Sequence, residues 1–308
     1  MHAYTSQVIA KTPAQEERYG VINGMTAYFM WGLMPLYWPY LKPASAIEIL
    51  AHRIIWSLVF VVILVQLGRH WPTTKQVLRN KNLALLVSAA SVLVVANWGI
   101  YIWAVNANHV VETSLGYFIN PLVSVVLGIV FFGERLRTAQ KVAVAVATFA
   151  VLLLTFDYGR LPWIALGLAG TFGAYGALKK KIDMPAVPGL LVESVLVTPF
   201  ALGYLIWLYT NRSGSLLDSP SIMSLALFSG ILTALPLIFF GAAAIRVPLV
   251  WMGVMQYIAP TIQFTIGITV FNEELSTTKV IGFLIVWLAL VIFTTDAWKA
   301  NQARQNAK

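Results

Sequence analysis

Residues 114–136, SLGYFINPLVSVVLGIVFFGERL, return at 253–275 as GVMQYIAPTIQFTIGITVFNEEL, so the chain carries one apolar unit twice. Shifted by 139 positions without a gap, Pro121 falls on Pro260, Gly128 on Gly267, Phe132 on Phe271, Glu134 on Glu273 and Leu136 on Leu275. Any fold open to this chain must therefore house the same apolar, proline-bearing helix in two equivalent places.

The surroundings of those helices follow from composition. With 59% hydrophobic and 11% charged residues, the chain cannot clothe a water-soluble sphere of its size and reads as an integral membrane protein. A hydrocarbon core about 30 Å thick needs roughly 20 apolar residues per helix. Ten segments meet that need, each bounded by turn residues or charge: 20–39, 47–68, 83–104, 109–132, 139–157, 161–179, 188–209, 221–244, 248–271 and 279–297. Runs such as Leu58–Leu64 and Val142–Leu154 are apolar on every side, whereas barrel strands alternate with period two. The expected fold is all-α.

Residues 1–18 are polar, and the first apolar segment is long enough to span, so it reads as a retained helix and not a cleaved signal. The absence of cysteine removes disulfides and thiolate metal sites. A net charge of +9 raises the question of nucleic acid, and the placement of the basic residues answers it. With the N-terminus inside, 16 of the 21 lysines and arginines lie in cytoplasmic segments, four on the opposite face and Arg53 within a span. That asymmetry follows the positive-inside rule and places both termini in the cytoplasm. No nucleic-acid partner is expected. The two copies of the repeat then sit on the fourth and ninth spans, an odd interval that inverts one against the other. Trp31-Gly32 with Tyr175-Gly176, and Glu48 with Glu193, echo the same division. The expectation is ten transmembrane helices as two inverted five-helix repeats, 20–157 and 158–298, between cytoplasmic segments 1–19 and 299–308. Inverted repeats meeting at the bilayer midplane are a common architecture of secondary transporters, although duplication can also persist for stability alone.

A proline inside a span frees backbone carbonyls that are tolerated only against protein or in a wet cavity. Pro121 and Pro260 should make equivalent breaks. Tyr117, Pro121, Ser124 and Gly128 form one helical stripe, and Gln256, Pro260, Gln263 and Gly267 its counterpart, with Asn120 beside the first break. Tyr117, Gln256 and Gln263 read as cavity-lining, because an unpaired polar group facing lipid is costly; Gly128 and Gly267 read as packing residues. In the second span Glu48, His52 and Arg53 are the densest intramembrane charge. Glu48 and His52 share a face and can pair, while Arg53 can reach an anionic solute or Glu112, or snorkel to the boundary. Glu48, His52 and Glu193 are the candidates for proton coupling, against a purely structural reading of each. Asn97 and Tyr101 add polar groups on the third span. Trp31 lies deep enough to stack on a solute or to fill the core, and Trp38 reads as part of an interfacial aromatic belt.

An enzyme would need paired carboxylates, a metal-binding histidine set or a nucleophile with its base. The four histidines, at 2, 52, 70 and 109, are scattered, and no metal or cofactor is expected. A channel would show a ring of like charges or a repeated filter. A membrane receptor or adaptor would usually bring a soluble domain, and the longest loop, about 210–220, is short.

The chain as a whole resembles the drug/metabolite transporter superfamily and its EamA domains, in its five-plus-five spans, in Pro121 with Gly133-Glu134-Arg135, and in Pro260 with Glu273. The strings HRIIWS at 52–57, NWGIYIWAVN at 97–106 and SLGYFINPL at 114–122 resemble the RarD-type branch. The likeness covers about residues 20–298. It implies an inner-membrane permease, surrounded by lipid, that moves a small molecule such as an amino acid, a nucleotide-related metabolite or a drug by alternating access, often outward. A homodimer through span faces is compatible with it. Asn120 becomes Ala259 and Gly133 becomes Asn272 in the second copy, so the implied cavity is chemically asymmetric.

Overall fold

The computed structural model describes residues 12–41, 44–107, 109–216, 219–272 and 277–306. Among them there are helices and turns and no strands. The helices are α1 (Pro13–Leu33), α2 (Ala46–Leu67), α3 (Trp71–Arg79), α4 (Lys81–Asn106), α5 (Val110–Phe132), α6 (Thr138–Tyr158), α7 (Trp163–Ile182), α8 (Ala186–Thr210), α9 (Pro220–Ala244), α10 (Leu249–Gln256), α11 (Ile258–Thr269) and α12 (Thr277–Asn306). Each of the ten apolar segments is helical. The last helix runs on through most of the tail, and α3 occupies a stretch with no expected element.

Seven of the described helices, α2, α4, α5, α6, α8, α9 and α12, are long and apolar enough to cross a membrane. The others of the ten segments differ in composition or continuity. Gly20, Gly24 and Gly32 punctuate α1, four glycines and a terminal Lys179–Lys181 run occupy α7, and α10 and α11 are two short pieces of one segment. Large apolar side chains point outward, among them Leu67, Phe131, Phe149, Phe156, Phe200 and Ile206. A surface of this kind requires lipid as its solvent.

Local signals fix the ends. Thr12 and Gln15 form a reciprocal capping box at α1, followed by Pro13 at the first helical position. Gly133 and Gly159 end α5 and α6 in the left-handed conformation, where a side chain would be strained.

The two prolines of the repeat do not behave alike. α5 continues through Pro121, whereas the segment of Pro260 is interrupted at Tyr257. Both rings remove the same backbone bond. The second copy adds a tightened turn, Tyr257 N–H to the Val254 carbonyl, and the Thr261 hydroxyl donating to the Tyr257 carbonyl at 2.8 Å. Such back-bonding bends helices, and the first copy has Leu122 in place of Thr261.

If the chain is divided as the repeat suggests, the helix contacts come in pairs that the division would exchange. α5 packs on α7 and α1 on α11; α4 on α7 and α1 on α9; α2 on α9 and α4 on α8; while α2 with α8, α5 with α10 and α6 with α12 pair each helix with its own equivalent. Three equivalent pairs are antiparallel by their end contacts. Glu134, after α5, accepts from the Leu249 and Val250 N–H groups that open α10, at 2.6 and 2.8 Å. Tyr209, late in α8, reaches Glu48 in the first turn of α2. Asp157 at the end of α6 meets Thr278 at the start of α12 (3.1 Å), and Asp296 near the end of the α12 span meets Arg137 at the start of α6 (2.5 Å). Asp157 and Asp296 are themselves 139 residues apart, as are Tyr257 and Phe118, whose carbonyl accepts from the Tyr257 hydroxyl at 3.2 Å. Glu273 and the rest of 273–276 lie outside the described residues.

Candidate functional site

The site begins where α2 crosses α9. A Cβ on Gly230 would lie 2.3 Å from the Trp56 carbonyl carbon, so only glycine lets the two backbones meet there. Ser57 Oγ donates to the Gly230 carbonyl at 3.0 Å. About one turn away on each helix, Arg53 Nε donates to Thr233 Oγ1 at 2.8 Å. The guanidinium lies over the Trp38 ring, 4.6 Å from its centroid. The rings of Tyr101 and Tyr117 lie 6.4 Å apart, and both, together with Tyr37, are near enough to Arg53 to interact with its charge. Both tyrosines keep 38–39% of their surface accessible, so the cluster is open at the protein surface. Among the described residues Arg53 has no acidic partner.

Glu112, read from sequence as a possible partner of Arg53, is used elsewhere. It accepts from Ile164 N–H (2.7 Å) and Tyr158 (2.6 Å) and lies 3.5 Å from Arg160, fastening the start of α7 to α5. Among the described residues Glu48 and His52 are linked through Tyr209. The Trp56 indole donates to His52 Nδ1 at 3.3 Å, which places the ring proton on Nε2; Nε2 then donates to the Tyr209 hydroxyl (3.0 Å), and Tyr209 donates to Glu48 (2.9 Å). Glu48 also accepts from Ser215 and Leu216 N–H groups and so pins the α8–α9 connection.

Further along α5 the repeat helices cross. A Cβ on Gly253 would sit 2.6 Å from the Pro121 carbonyl oxygen and 3.1 Å from the Ser124 Cβ. Asn120, Pro121, Ser124, Gln256 and Pro260 are all buried near this crossing. Asn120 Oδ1 is buried without a hydrogen-bond partner, an acceptor that folding leaves unused. Gly128 is a packing residue as expected, leaving room for the Glu134 carboxylate, which a Cβ would approach to 2.6 Å.

The remaining sequence candidates lie around these two clusters. Asn97 donates to the Leu168 carbonyl (2.9 Å) and Thr171 Oγ1 (3.0 Å), joining α4 to α7. Gln263 donates to the Trp31 carbonyl at 3.1 Å, joining α11 to α1. Trp31 belongs to a nest of rings with Tyr28, Phe172 and Phe240, each 5.6–5.8 Å away, and Tyr175 stacks on Phe240. Behind the nest, Glu193 accepts from Lys179 (2.7 Å) and Tyr175 (3.1 Å), all three buried. A cavity of about 30 Å³ is bordered by Glu193, by Thr233, the partner of Arg53, and by largely apolar neighbours such as Ile54, Val94, Trp98 and Leu237. That is room for one or two waters.

Four participants were not legible as such. Tyr37 and Trp38 stand on two 3-10 turns after α1, set by Pro35 and Pro39 in GLMPLYWPY, and Trp38 serves the arginine, whereas sequence placed it in an interfacial belt. Thr233 gave no signal beyond being polar inside an apolar span. Lys179, counted among cytoplasmic loop charges, is only 6% exposed and pairs with Glu193.

Arg53, without an acidic partner, and Asn120 Oδ1, buried without a hydrogen-bond partner, stand out among the described residues, and comparison with known proteins gives the family. Residues 18–156 match the EamA-like transporter family. Protein RarD of Streptomyces exfoliatus is 49% identical over 92% of this chain and 90% of its own. The uncharacterized transporter YojE of Bacillus subtilis strain 168 is 44% identical over 94% and 98%. One solved crystal structure superposes with a TM-score of 0.68 at 18% identity, covering 89% of this chain and 96% of that one, and shares the fold. Identity at this level over nearly the whole length places the chain in the EamA-like family of drug/metabolite transporters, among the RarD proteins.

Proposed function

We propose that the chain is a secondary transporter of the inner membrane that moves a small polar or zwitterionic solute by alternating access, in the direction of export. Ten spans with both termini cytoplasmic, arranged as inverted halves 20–157 and 158–298, are the intended architecture. The exchangeable helix contacts and the three antiparallel equivalent pairs support it. The halves rock about the α5–α10 crossing, which Gly253 keeps close.

The observation that carries the reading is Arg53, held by Thr233 and Trp38 yet without a carboxylate among the described residues, at the mouth of an aromatic crevice. Its charge is left for a solute carboxylate or phosphate. Tyr101 and Tyr117 flank the solute, and Asn120, Ser124, Gln256, Gln263 and Trp31 meet it further in, beside Pro121 and Pro260. Asn97 braces the wall. Glu48 with His52, through Tyr209, and Glu193 with Lys179 are the two hydrogen-bonded groups able to couple movement to protons.

The test is uptake of a pooled panel of amino acids, nucleosides and cationic drugs into proteoliposomes, read by mass spectrometry against protein-free vesicles, with the parent chain, Arg53→Gln and Asn120→Ala. Selective accumulation by the parent, lost in Arg53→Gln for the anionic members, is the expected result. No accumulation under any pH gradient or counter-loading would remove the transport reading, and unchanged kinetics in both variants would remove this site. A pH gradient without effect on net flux would remove the proton version.

A further inference from the structure

Outside this site, the basic residues nearest the end of α2 occupy a surface helix of their own. α2 closes with the His70 N–H on the Val65 carbonyl (2.9 Å) and Arg69 in the left-handed conformation (φ 53°), so the chain reverses at once into α3. α3 is nine residues long, and its Thr74 and Val77 are buried, Val77 in a cluster with Ile182 and Met184. The opposite face forms a shallow open groove of Trp71, Pro72, Lys75, Gln76 and Arg79. Trp71, Lys75 and Arg79 follow one another at intervals of four along one row, about 6 Å apart. From 68 to 82 there is no acidic residue, and among the described residues neither Lys75 nor Arg79 makes an ion pair. The Trp71 indole N–H is anchored on Gln66 Oε1 at 2.7 Å, which fixes the ring at the junction of α2 and α3.

We propose that this face of α3 is a binding site for the headgroup of an anionic phospholipid. Lys75 and Arg79 clamp the phosphate between them, and Trp71 lies one turn away at the glycerol level, where indole rings settle in a bilayer. Two uncompensated cations favour a headgroup with net negative charge, because a zwitterionic one brings its own ammonium into the same space. The row of one aromatic and two cations, on a helix whose other face is packed against the protein, matches a helix lying in the interface. α3 contacts α4 and α8, so an occupied site would brace the ends of both.

The experiment uses the full chain in nanodiscs of phosphatidylcholine with increasing phosphatidylglycerol. Co-purified lipid is read by native mass spectrometry, and the unfolding midpoint by thermal scanning. The parent is expected to retain phosphatidylglycerol over phosphatidylcholine, and Lys75→Gln/Arg79→Gln to lose that preference by roughly tenfold or more, at about fivefold per cation. Lys299→Gln, one exposed cation elsewhere, should keep it. Trp71→Ala should weaken retention of either lipid. Equal retention in the parent and the double variant would overturn the proposal. So would a midpoint shift reproduced by millimolar inorganic phosphate in pure phosphatidylcholine, which would assign the cations to a free anion. The readout does not depend on transport, so its failure and failure of the solute site are separable.

Discussion

Replacing Gly230 with alanine tests the geometry on which the Arg53 crevice depends. The added methyl would stand 2.3 Å from the Trp56 carbonyl carbon, 2.5 Å from its Cβ and 2.6 Å from Ser57 N. The first and last of these are backbone atoms of α2, so no flexible side chain can swing aside. Restoring an ordinary contact requires α2 and α9 to separate by about 1 Å. Overpacking of this kind costs about 1–3 kcal/mol. The same shift stretches Ser57 Oγ to the Gly230 carbonyl from 3.0 Å, and Arg53 Nε to Thr233 from 2.8 Å, beyond useful hydrogen bonding. Each such bond between membrane helices contributes about 0.6 kcal/mol. Gly230→Ala should therefore destabilise by about 2–4 kcal/mol in reversible unfolding from mixed micelles and raise KM for anionic solutes. Gly203→Ala in α8, where a Cβ meets nothing within 4 Å, should be neutral or stabilising by up to about 1 kcal/mol. A Gly230→Ala protein within about 0.5 kcal/mol of its parent, with unchanged KM, would refute the close crossing and its role.

Three further changes separate structural from functional roles. Asn120→Leu removes a buried acceptor that has no partner, so the thermal midpoint should hold or rise, by up to about 3 kcal/mol of relieved cost, while transport falls about tenfold; a loss of stability would show that the amide serves the fold. Arg53→Lys keeps the charge but cannot both bond Thr233 through a guanidinium nitrogen and lie flat over Trp38, so KM should rise about tenfold with a smaller change in kcat; an unaltered KM would mean that charge alone suffices. Glu193→Leu strands Lys179 in an apolar interior and should cost about 3–5 kcal/mol, whereas Glu193→Leu with Lys179→Met should return to within about 1 kcal/mol of the parent; unfolding midpoints decide, and a mild single variant would contradict burial of the pair.

What could be read in advance follows the range of the forces involved. Lipid demands about 20 apolar residues per crossing, so the helices were visible as hydropathy. The left-handed positions needed after α5 and α6 were visible as Gly133 and Gly159. α3 was hidden because WPTTKQVLR is polar in composition and buries only one narrow face, including Thr74 and Val77. The partners of charged groups were hidden for another reason. Glu112 stands near Arg53 in any sketch of the spans, yet it reaches Ile164, 52 residues away, because the start of α7 offers a backbone N–H with no other acceptor. Lys179 and Lys181 are neighbours in one basic run, and helix geometry turns the first inward to Glu193 and leaves the second exposed. Side-chain direction, not composition, decides such cases.

The duplicated backbone and the polar side chains obey different symmetries, and that difference bears on transport. Asp157 and Asp296 fasten α6 and α12 at opposite ends, and Tyr257 reaches the residue 139 positions before it, so these contacts treat the two copies alike. The charges do not. Taking the register of Glu48 with Glu193, Arg53 corresponds to Thr198 and His52 to Val197. Thr198 spends its hydroxyl on the Ser194 carbonyl at 2.7 Å. One side thus presents a guanidinium without an acidic partner among the described residues, beside accessible aromatic rings, and the other a closed Lys179–Glu193 pair beneath stacked rings. A symmetric scaffold can exchange its conformations at little cost, since each arrangement of one half is available to the other. Under the proposed mechanism, a solute attracted by Arg53 would find no equivalent attraction at the far end, and opening there would have to break the buried Lys179–Glu193 pair. Under the proposed alternating access, the scaffold would supply the reversal and the unequal chemistry of its two ends would set which face binds the solute more tightly.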